Sequence, residues 1–517
     1  MENTESYKGI YAMHKYWGKK PFNEISKFIE KYSKKDEVVL DCFCGSGVSI
    51  IEALKADRKA IGVDLNPIAI KLANASITVV NVQSIKDEFD RISDKIKNTI
   101  NSLYDYEYKG EITHITHIIW KNDVPVEVWY KRTGDKKKYI REGESKDLEL
   151  ANNPNIQSLW FPTTIMYENT RINVGKNQKV CDLFTKRALV GLSLLLAEIE
   201  SIKDPKIRNI FELTLTGTLS QASKLVFVIR DRKKSENNKS SKAEVGSWVI
   251  GYWVPEEHFE INVWNCFENR FKRILKGVSE INSIFATKND IESKVTLING
   301  SATELTMQNE SVDYVFIDPP HTNRVLYMEQ SLMWNAWLHL DDKIDWKQEI
   351  IVSEAKERKE KNLDDYNFLM NKTFSEISRV LKKNKFFSFA FNSLDDKTWI
   401  NLLNLFSKNG FVIHDIQPLE YSATSVIQDN RKNALKTDFV LTFKNSRIES
   451  QQEIIVNTNI EELKTKISDI LKNNSNYEVY NVMNSLFEST IPKGYLYKVS
   501  DIVKICSEIM PVHDKTC

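Results

Sequence analysis

The sequence predicts an α/β fold with a mostly parallel sheet that is covered by helices on both faces. Apolar strand-like runs alternate with helical patterns over residues 1–80 and again over 291–448. Between them, residues 81–290 show short strand-like pieces followed by longer helices. We therefore expect a sheet interrupted by a large insert, and a small helical extension over 449–517.

The first part of the sheet is predicted by a strand, a glycine turn, a helix and a second strand. A helix over 23–32 precedes the first strand, which ends at Asp41, and the second strand ends at Asp64. Gly45 and Gly47 in the turn permit positive φ and a close approach of the backbone to a ligand. An acid about 20 residues beyond such a turn suits a ribose diol. The turn is not Gly-x-Gly-x-x-Gly, so a nucleoside without phosphates fits better than a dinucleotide.

The insert and the second part of the sheet are predicted by the same patterns. In the insert we expect a polar helix over 82–104, strands at 115–120 and 124–130, helices at 183–202 and 207–229, and a basic, serine-rich loop at 233–242. Beyond it we expect strands at 295–299, 312–317 and 386–391, helices at 328–339, 366–381 and 398–408, and an antiparallel pair at 411–417 and 438–443. Helices at 460–471, 479–487 and 499–509 complete the chain.

The strand over 312–317 runs directly into Asp318-Pro319-Pro320-His321. This stop places a carboxylate and a rigid carbonyl at the carboxyl edge of the sheet, where open α/β folds bind ligands. Taken alone, such a stop also occurs in ordinary turns. Together with the glycine turn and Asp64, it predicts one site built from two loops.

Four motifs together resemble the amino-group DNA methyltransferases, which use S-adenosyl-L-methionine to modify adenine N6 or cytosine N4. Residues 41–47 look like their cofactor loop, with Cys42 in the usual place of proline, and Asp64 looks like the acid that holds the ribose. Residues 318–321 look like the catalytic Asp-Pro-Pro-Tyr, and 14–21 resemble the segment that closes over the methionine end. The motif order is similar to the α-type arrangement, which implies a Rossmann-like class I fold with seven strands and a target-recognition insert.

The resemblance also implies the site residues. The catalytic residues would be Asp318, Pro319, Pro320 and His321. The cofactor would be held by His14, Tyr16, Trp17, Lys20, Asp41, Cys42, Phe43, Gly45, Gly47, Asp64, Leu65, Asn66, Ser301 and Ala302.

Two of these positions depart from the family pattern. His321 stands where an aromatic ring stacks on the target base, a role that a neutral imidazole can fill, although a ring hydrogen-bonded at the strand end is the alternative. Ser301 stands where relatives often have an acid for the adenine amine, so its contact would be weak. Because duplex bases must be flipped out, Tyr327 is a candidate to line the base pocket.

Contacts to double-stranded DNA are expected from the insert, because the net charge of +1 gives no global argument for nucleic acid. Two basic runs supply Lys131, Arg132, Lys137, Arg230 and Arg232, which are suited to phosphates. Each run is also compatible with a solvated loop. A polar segment over 428–435 is expected near the substrate or in a plain hairpin loop.

Composition narrows the class of protein. Six cysteines without Cys-x-x-Cys spacing indicate neither a zinc site nor a disulfide framework. None of the 12 prolines is followed by cysteine, which argues against a cytosine C5 methyltransferase. Because the N-terminus lacks a signal-peptide pattern and no apolar run reaches membrane length, we expect a cytoplasmic protein that does not bind membranes.

The resulting hypothesis is a DNA methyltransferase, with adenine N6 favoured over cytosine N4, that acts in restriction-modification or phage defence. A cognate restriction enzyme or a defence-system subunit would be its protein partner. Methylation of an RNA base or a protein glutamine is an alternative, since similar acid-Pro-Pro corners serve those amines. A cofactor-binding scaffold that has lost catalysis is another.

Overall fold

The computed structural model describes residues 8–152, 154, 159–230, 243–288, 291–391, 396–419, 438–448, 454–473 and 479–509. Arg232, the loop over 233–242 and the segment over 428–435 lie outside these ranges.

The strands are β1 (Val38–Asp41), β2 (Lys59–Asp64), β3 (Asp105–Tyr108), β4 (Glu111–Lys121), β5 (Val124–Arg132), β6 (Tyr139–Glu142), β7 (Val228–Ile229), β8 (Glu244–Val245), β9 (Glu257–Ile261), β10 (Val295–Asn299), β11 (Val312–Ile317), β12 (Leu381–Phe391), β13 (Phe411–Leu419), β14 (Asp438–Asn445), β15 (Ile455–Asn457) and β16 (Tyr495–Tyr497).

The helices are α1 (Phe22–Tyr32), α2 (Val48–Lys55), α3 (Pro67–Ala75), α4 (Val82–Ser102), α5 (Ser145–Asn152), α6 (Lys186–Glu200), α7 (Pro205–Ala222), α8 (Val263–Phe285), α9 (Tyr327–Trp337), α10 (Leu363–Val380), α11 (Asp396–Lys408), α12 (Ile460–Asn473), α13 (Val479–Thr490) and α14 (Val499–Ile509). Short 3-10 turns occur at Gly9–Ala12, Thr170–Ile172, Val180–Leu183, Ile291–Lys294, Asp341–Lys343 and Ile491–Lys493.

A seven-stranded sheet in the order β10-β2-β1-β11-β12-β14-β13 forms the centre of the fold. The pairs from β10 to β12 are parallel, and β14 pairs antiparallel with both β12 and β13. This confirms the predicted α/β class with a mostly parallel sheet.

Successive residues of the central strands point to opposite faces, and each face has its own apolar core. Val39 and Tyr314 belong to one hydrophobic cluster, whereas Leu40 and Val315 belong to the other. The first cluster includes residues of α4, α6, α7 and α8. The second includes residues of α10, α11 and the C-terminal helices α12–α14. Helices α4, α6, α7 and α8 and the C-terminal helices therefore cover opposite faces of the same sheet.

The region between β2 and β10 also holds a second, antiparallel sheet, with the order β3-β4-β5-β6 and β9 paired to β4. The helical pattern expected over 207–229 ends early, at Ala222. Ser223 is extended, with φ −94° and ψ 165°, and the β-branched residues that follow enter β7. Within the described ranges, no helix combines the length and apolar character that a membrane crossing needs.

Candidate active site

The two predicted loops lie at one edge of the sheet and line a single cleft. β1, β2, β10 and β11 are parallel, so their carboxyl ends meet at this edge. The cleft and the solvent space at its mouth together comprise about 920 Å³. Gly45 and Ser46 of the glycine turn and Asp318 and Pro320 of the corner after β11 all face it.

Most of the residues predicted for the site line this cleft. They are Tyr16, Trp17, Lys20, Asp41, Cys42, Phe43, Gly45, Asp64, Leu65, Asn66, Ser301, Ala302, Asp318 and Pro320, and Tyr327 lines it as well. Three predicted residues are adjacent in sequence to residues of the cleft lining but do not line the cleft themselves: Gly47, Pro319 and His321.

His14 lies behind the cleft, in the core. Its ring packs edge-on against Trp334 with 4.8 Å between centroids, and its Nδ1 lies 2.6 Å from the Lys15 carbonyl. Burial lowers the pKa of His14 to about 3, so the ring is neutral. The structure therefore places His14 in the core as a packing residue.

The glycine turn requires glycine at two positions. Gly45 has φ 50°, and its N–H donates to Asp64 Oδ2 at 2.8 Å. Gly47 has φ 84° and precedes α2, and a Cβ there would lie 2.9 Å from the Cβ of Ala73. The turn therefore packs closely against α3 and is held to the end of β2.

Two buried carboxylates hold the turn and line the cleft. Asp41 accepts from the Phe43 N–H at 2.9 Å and from the Ser49 hydroxyl, and burial raises its pKa to about 7. Asp64 accepts from the N–H groups of Gly45 and Asn66, and burial raises its pKa to about 6. Both ionised forms would be stabilised by hydrogens from a bound ammonium or hydroxyl group.

Aromatic side chains of the N-terminal segment form one wall. Tyr16 stacks on Tyr327 with 5.8 Å between ring centroids, and Trp17 stacks on Trp334 at 4.9 Å. The indole N–H of Trp17 donates to the Val249 carbonyl at 3.1 Å, so part of the insert supports this wall.

Asn66 joins the end of β2 to α9. Its amide nitrogen donates to Ser331 Oγ at 2.8 Å, and its carbonyl accepts from Asn335 Nδ2 at 2.9 Å. All three side chains are buried. This network fixes the end of β2 relative to α9, the helix that follows the corner after β11.

At the corner after β11, protein donors hold both oxygens of Asp318. Lys20 Nζ lies 3.1 Å from Oδ2, and His321 Nε2 lies 3.1 Å from Oδ1. The Pro320 carbonyl accepts from the Tyr366 hydroxyl at 2.8 Å. The His321 ring packs 5.7 Å from the Phe391 ring. In this arrangement His321 orients the carboxylate, which matches the strand-end alternative more closely than base stacking.

Sequence reasoning did not single out the residues that line the cleft beside the turn after β10. Gln348, Glu349 and Ile350 line the cleft there. Glu349 is buried and accepts from Arg358 Nη2 at 2.7 Å, while Arg358 Nη1 also donates to Glu329 at 2.9 Å. These residues lie between helices without a motif, so only the tertiary structure reveals their position.

The predicted DNA contacts lie away from the cleft lining. Lys131, Arg132 and Lys137 are exposed on the β5–β6 hairpin, where the guanidinium of Arg132 lies 4.8 Å from the Tyr139 ring centre. Arg230 Nη2 is paired with Glu257 at 2.6 Å.

Comparison with known proteins finds matches for part of the chain. Residues 2–75, which include the N-terminal segment and the glycine turn, match a family model described as DNA methylase. The type II methyltransferase M.MjaII of Methanocaldococcus jannaschii is 22% identical over 148 residues, which are 29% of this chain and 28% of that protein. M.BglI of Bacillus subtilis is 33% identical over 85 residues, which are 16% of this chain and 23% of that protein.

The predicted resemblance to the amino-group DNA methyltransferases is confirmed by these matches, and with it the predicted cofactor, S-adenosyl-L-methionine. The chain spans only about a quarter of each relative's length. A crystal structure of a SAM-dependent methyltransferase from Methanosarcina mazei is 9% identical, with 81% of this chain and 96% of that chain covered and a TM-score of 0.25. So low a score supports no further conclusion. The α-type motif order stays a prediction.

The side chains of the cleft fit this cofactor. Asp64, at the end of β2, and Asp41 supply carboxylate acceptors of the kind to which ribose hydroxyls and an ammonium group donate. Leu65, Ala302 and Ile350 provide apolar surface for a flat ring. The donors and charges of the described residues are therefore those that a charged nucleoside needs.

Proposed function

We propose that this protein transfers a methyl group from S-adenosyl-L-methionine to an exocyclic amine of a flipped base in double-stranded DNA, with adenine N6 favoured over cytosine N4. The observation that carries the proposal is the shared cleft of the glycine turn and Asp318. The match of residues 2–75 to DNA methylases supports DNA as the substrate.

The cofactor, when bound, supplies an electrophilic methyl group on a sulfonium. Asp41 and Asp64 would hold its ammonium and ribose hydroxyls, and Tyr16 and Trp17 would exclude water from one side. The tight backbone at Gly45 lets the ligand lie close to the turn.

Asp318 would accept one hydrogen of the target amine. The lone pair of such an amine is delocalised into the ring, and acceptors at both N–H groups draw it back onto the nitrogen. A carboxylate offers about four lone-pair sites. Lys20 and His321 each use one, so sites remain for the substrate.

The second acceptor is the Pro319 carbonyl. The neighbouring Pro320 carbonyl is already bonded to Tyr366, which fixes the turn that presents Pro319. Fixed acceptors also stabilise the positive charge that develops on the nitrogen during transfer. No covalent intermediate with the protein is required.

Recognition of DNA is assigned to the region over 81–290, as an insert between the cofactor part (1–80) and the catalytic part (291–448) of the methyltransferase. Lys131, Arg132 and Lys137 on its hairpin, together with Arg230, are proposed to contact phosphates. We further place the protein in the cytoplasm with the genome, in restriction-modification or phage defence beside a cognate nuclease or defence subunit.

A transfer assay tests the substrate class. The purified protein is incubated with donor labelled at the methyl group and with duplex DNA, RNA or a protein mixture, and DNA nucleosides are separated by mass spectrometry. Label in N6-methyladenine of DNA is expected. Label only in RNA or in protein glutamine, or no transfer to any acceptor despite cofactor binding, would overturn the proposal in favour of the alternatives named above.

A further inference from the structure

The turn after β10 uses its own hydroxyl groups internally. Ser301 Oγ lies 2.8 Å from Thr303 Oγ1, and it accepts from the Thr303 N–H at 3.2 Å. A hydroxyl has two acceptor lone pairs, and these contacts leave Ser301 at most one of them for a ligand. The side chain at the position that relatives use for the adenine amine is therefore committed to the turn.

This turn lies directly beside the acid proposed for the ribose. The Gly300 N–H donates to the Asp64 carbonyl at 3.1 Å, and Asn299 Nδ2 donates to the Leu65 carbonyl at 3.0 Å. A nucleoside whose ribose reaches Asp64 would place its base against this turn. The base would meet apolar surface from Leu65 and Ala302.

Gln348 reaches the same place from the segment that follows α9. Its Oε1 lies 3.5 Å from Thr303 Oγ1, at the outer limit of a hydrogen bond, and the side chain lines the cleft. Its neighbour Glu349 is already held by Arg358 and by the Met328 N–H. Gln348 can therefore exchange a weak contact for a stronger one with a ligand.

A carboxamide matches the edge of adenine. Its oxygen accepts and its NH₂ donates, which is the pattern that glutamine uses to contact an adenine amine and a neighbouring ring nitrogen. A serine hydroxyl provides one such contact at most in this geometry.

We propose that Gln348 recognises the adenine amine of the cofactor, beside the turn in which Ser301 is already bonded to Thr303. The inference rests on the proposed function for the identity of the ligand. It assigns to this chain a specificity residue that lies far from the other cofactor residues in sequence.

Binding measured by calorimetry distinguishes recognition of the adenine amine by Gln348 from a role of Gln348 in supporting the cleft wall. Two ligands are compared: S-adenosyl-L-homocysteine, which is the cofactor without its methyl group, and an analogue whose purine lacks the 6-amine. Wild-type protein is expected to prefer the first by about tenfold, as for one lost polar contact. Gln348→Leu is expected to reduce that preference to about twofold or less.

Two further variants serve as controls for the Gln348→Leu result. Gln348→Glu keeps an acceptor for the amine, so the preference should persist even if overall affinity falls. Gln308→Leu changes an exposed glutamine outside the cleft lining and should leave both affinities unchanged. Thermal melting establishes that each variant is folded.

The outcomes distinguish this inference from the proposed function. If Gln348→Leu weakens both ligands equally, or weakens neither, the assignment to Gln348 is wrong while the cofactor site stands. If the folded wild-type protein binds neither ligand, the proposed function itself fails.

Discussion

Lys20 Nζ lies 3.1 Å from Asp318 Oδ2, and the two side chains are only 9% and 18% exposed. The pair joins the segment before the first strand to the corner that follows β11. With His321 on the other oxygen, it fixes the orientation of the carboxylate. Lys20 was predicted to contact the cofactor, and the structure adds a direct contact with Asp318, the proposed catalytic acid.

The first prediction concerns this pair. Lys20→Met should lower kcat about 10- to 100-fold, because Asp318 loses the cation that orients it in a site of low exposure. Affinity for S-adenosyl-L-homocysteine should change by less than about threefold, which separates positioning of Asp318 from cofactor binding. Single-turnover transfer and calorimetry measure the two effects.

Lys27 supplies the matched control. It pairs with Glu24 at 2.8 Å but is 61% exposed, so Lys27→Met should leave the rate unchanged. Equal rates for Lys20→Met and wild type would contradict a role for the Lys20–Asp318 pair.

The second prediction concerns the glycine turn. Gly47→Ala should destabilise the fold by about 1–3 kcal/mol and weaken cofactor binding, because φ is 84° and the new Cβ would lie 2.9 Å from that of Ala73. Gly134 is the control, with φ 77° and open space around it. Gly134→Ala should cost about 1 kcal/mol and leave cofactor binding intact. Urea unfolding measures the stability of each variant, and calorimetry measures its affinity for the cofactor. Equal effects of Gly47→Ala and Gly134→Ala in both measurements would contradict this prediction.

The third prediction concerns pH. Burial raises the pKa of Asp64 to about 6 and that of Asp41 to about 7. Below these values the carboxyls are protonated and accept poorly, so affinity for S-adenosyl-L-homocysteine should fall about tenfold from pH 7 to pH 5. Asp64→Asn should bind weakly and with a flatter pH profile. A profile that is flat in the wild type would show that these acids do not hold the ligand.

The same pKa shifts act oppositely on the ligand-free fold. Between about pH 4 and pH 7 the folded state holds protons that the unfolded chain has released. Stability without cofactor should therefore fall as pH rises through this range, and denaturant melts at several pH values would detect it.

The fourth prediction concerns the buried ions behind the cleft wall. Arg358, which is 2% exposed, pairs with both Glu329 and Glu349. Arg358→Met should destabilise by about 3–5 kcal/mol, because two buried carboxylates lose their cation. Arg230→Met removes a pair that is 45% and 27% exposed and should cost less than about 1 kcal/mol. Similar melting temperatures for the two variants would count against this account.

Local patterns predicted the elements that form the centre of the sheet. The apolar runs at Val38–Asp41 and Val312–Ile317 became adjacent parallel strands, and the polar stops after them face one cleft. This worked because a buried parallel strand must be apolar on both faces, and because ligands bind where such strands end.

Local sequence patterns predicted the elements between β2 and β10 less well than the strands of the central sheet. The helix Val263–Phe285 was not predicted, although Phe267, Phe271 and Ile274 follow helical spacing. Gln348 and Glu349 could not be found at all, since their place at the cleft depends on tertiary contacts with Thr303 and Arg358. The domain boundaries, the motif order and the DNA contacts stay predictions.

The fifth prediction tests the central claim, that Asp318 accepts a hydrogen of the target amine beside the bound cofactor. Transfer of labelled methyl to duplex DNA is measured with wild type and Asp318→Ala, alongside calorimetric binding of S-adenosyl-L-homocysteine. We expect transfer to fall at least about 1000-fold while cofactor affinity changes by less than about threefold. Transfer at the wild-type rate by Asp318→Ala would contradict the account.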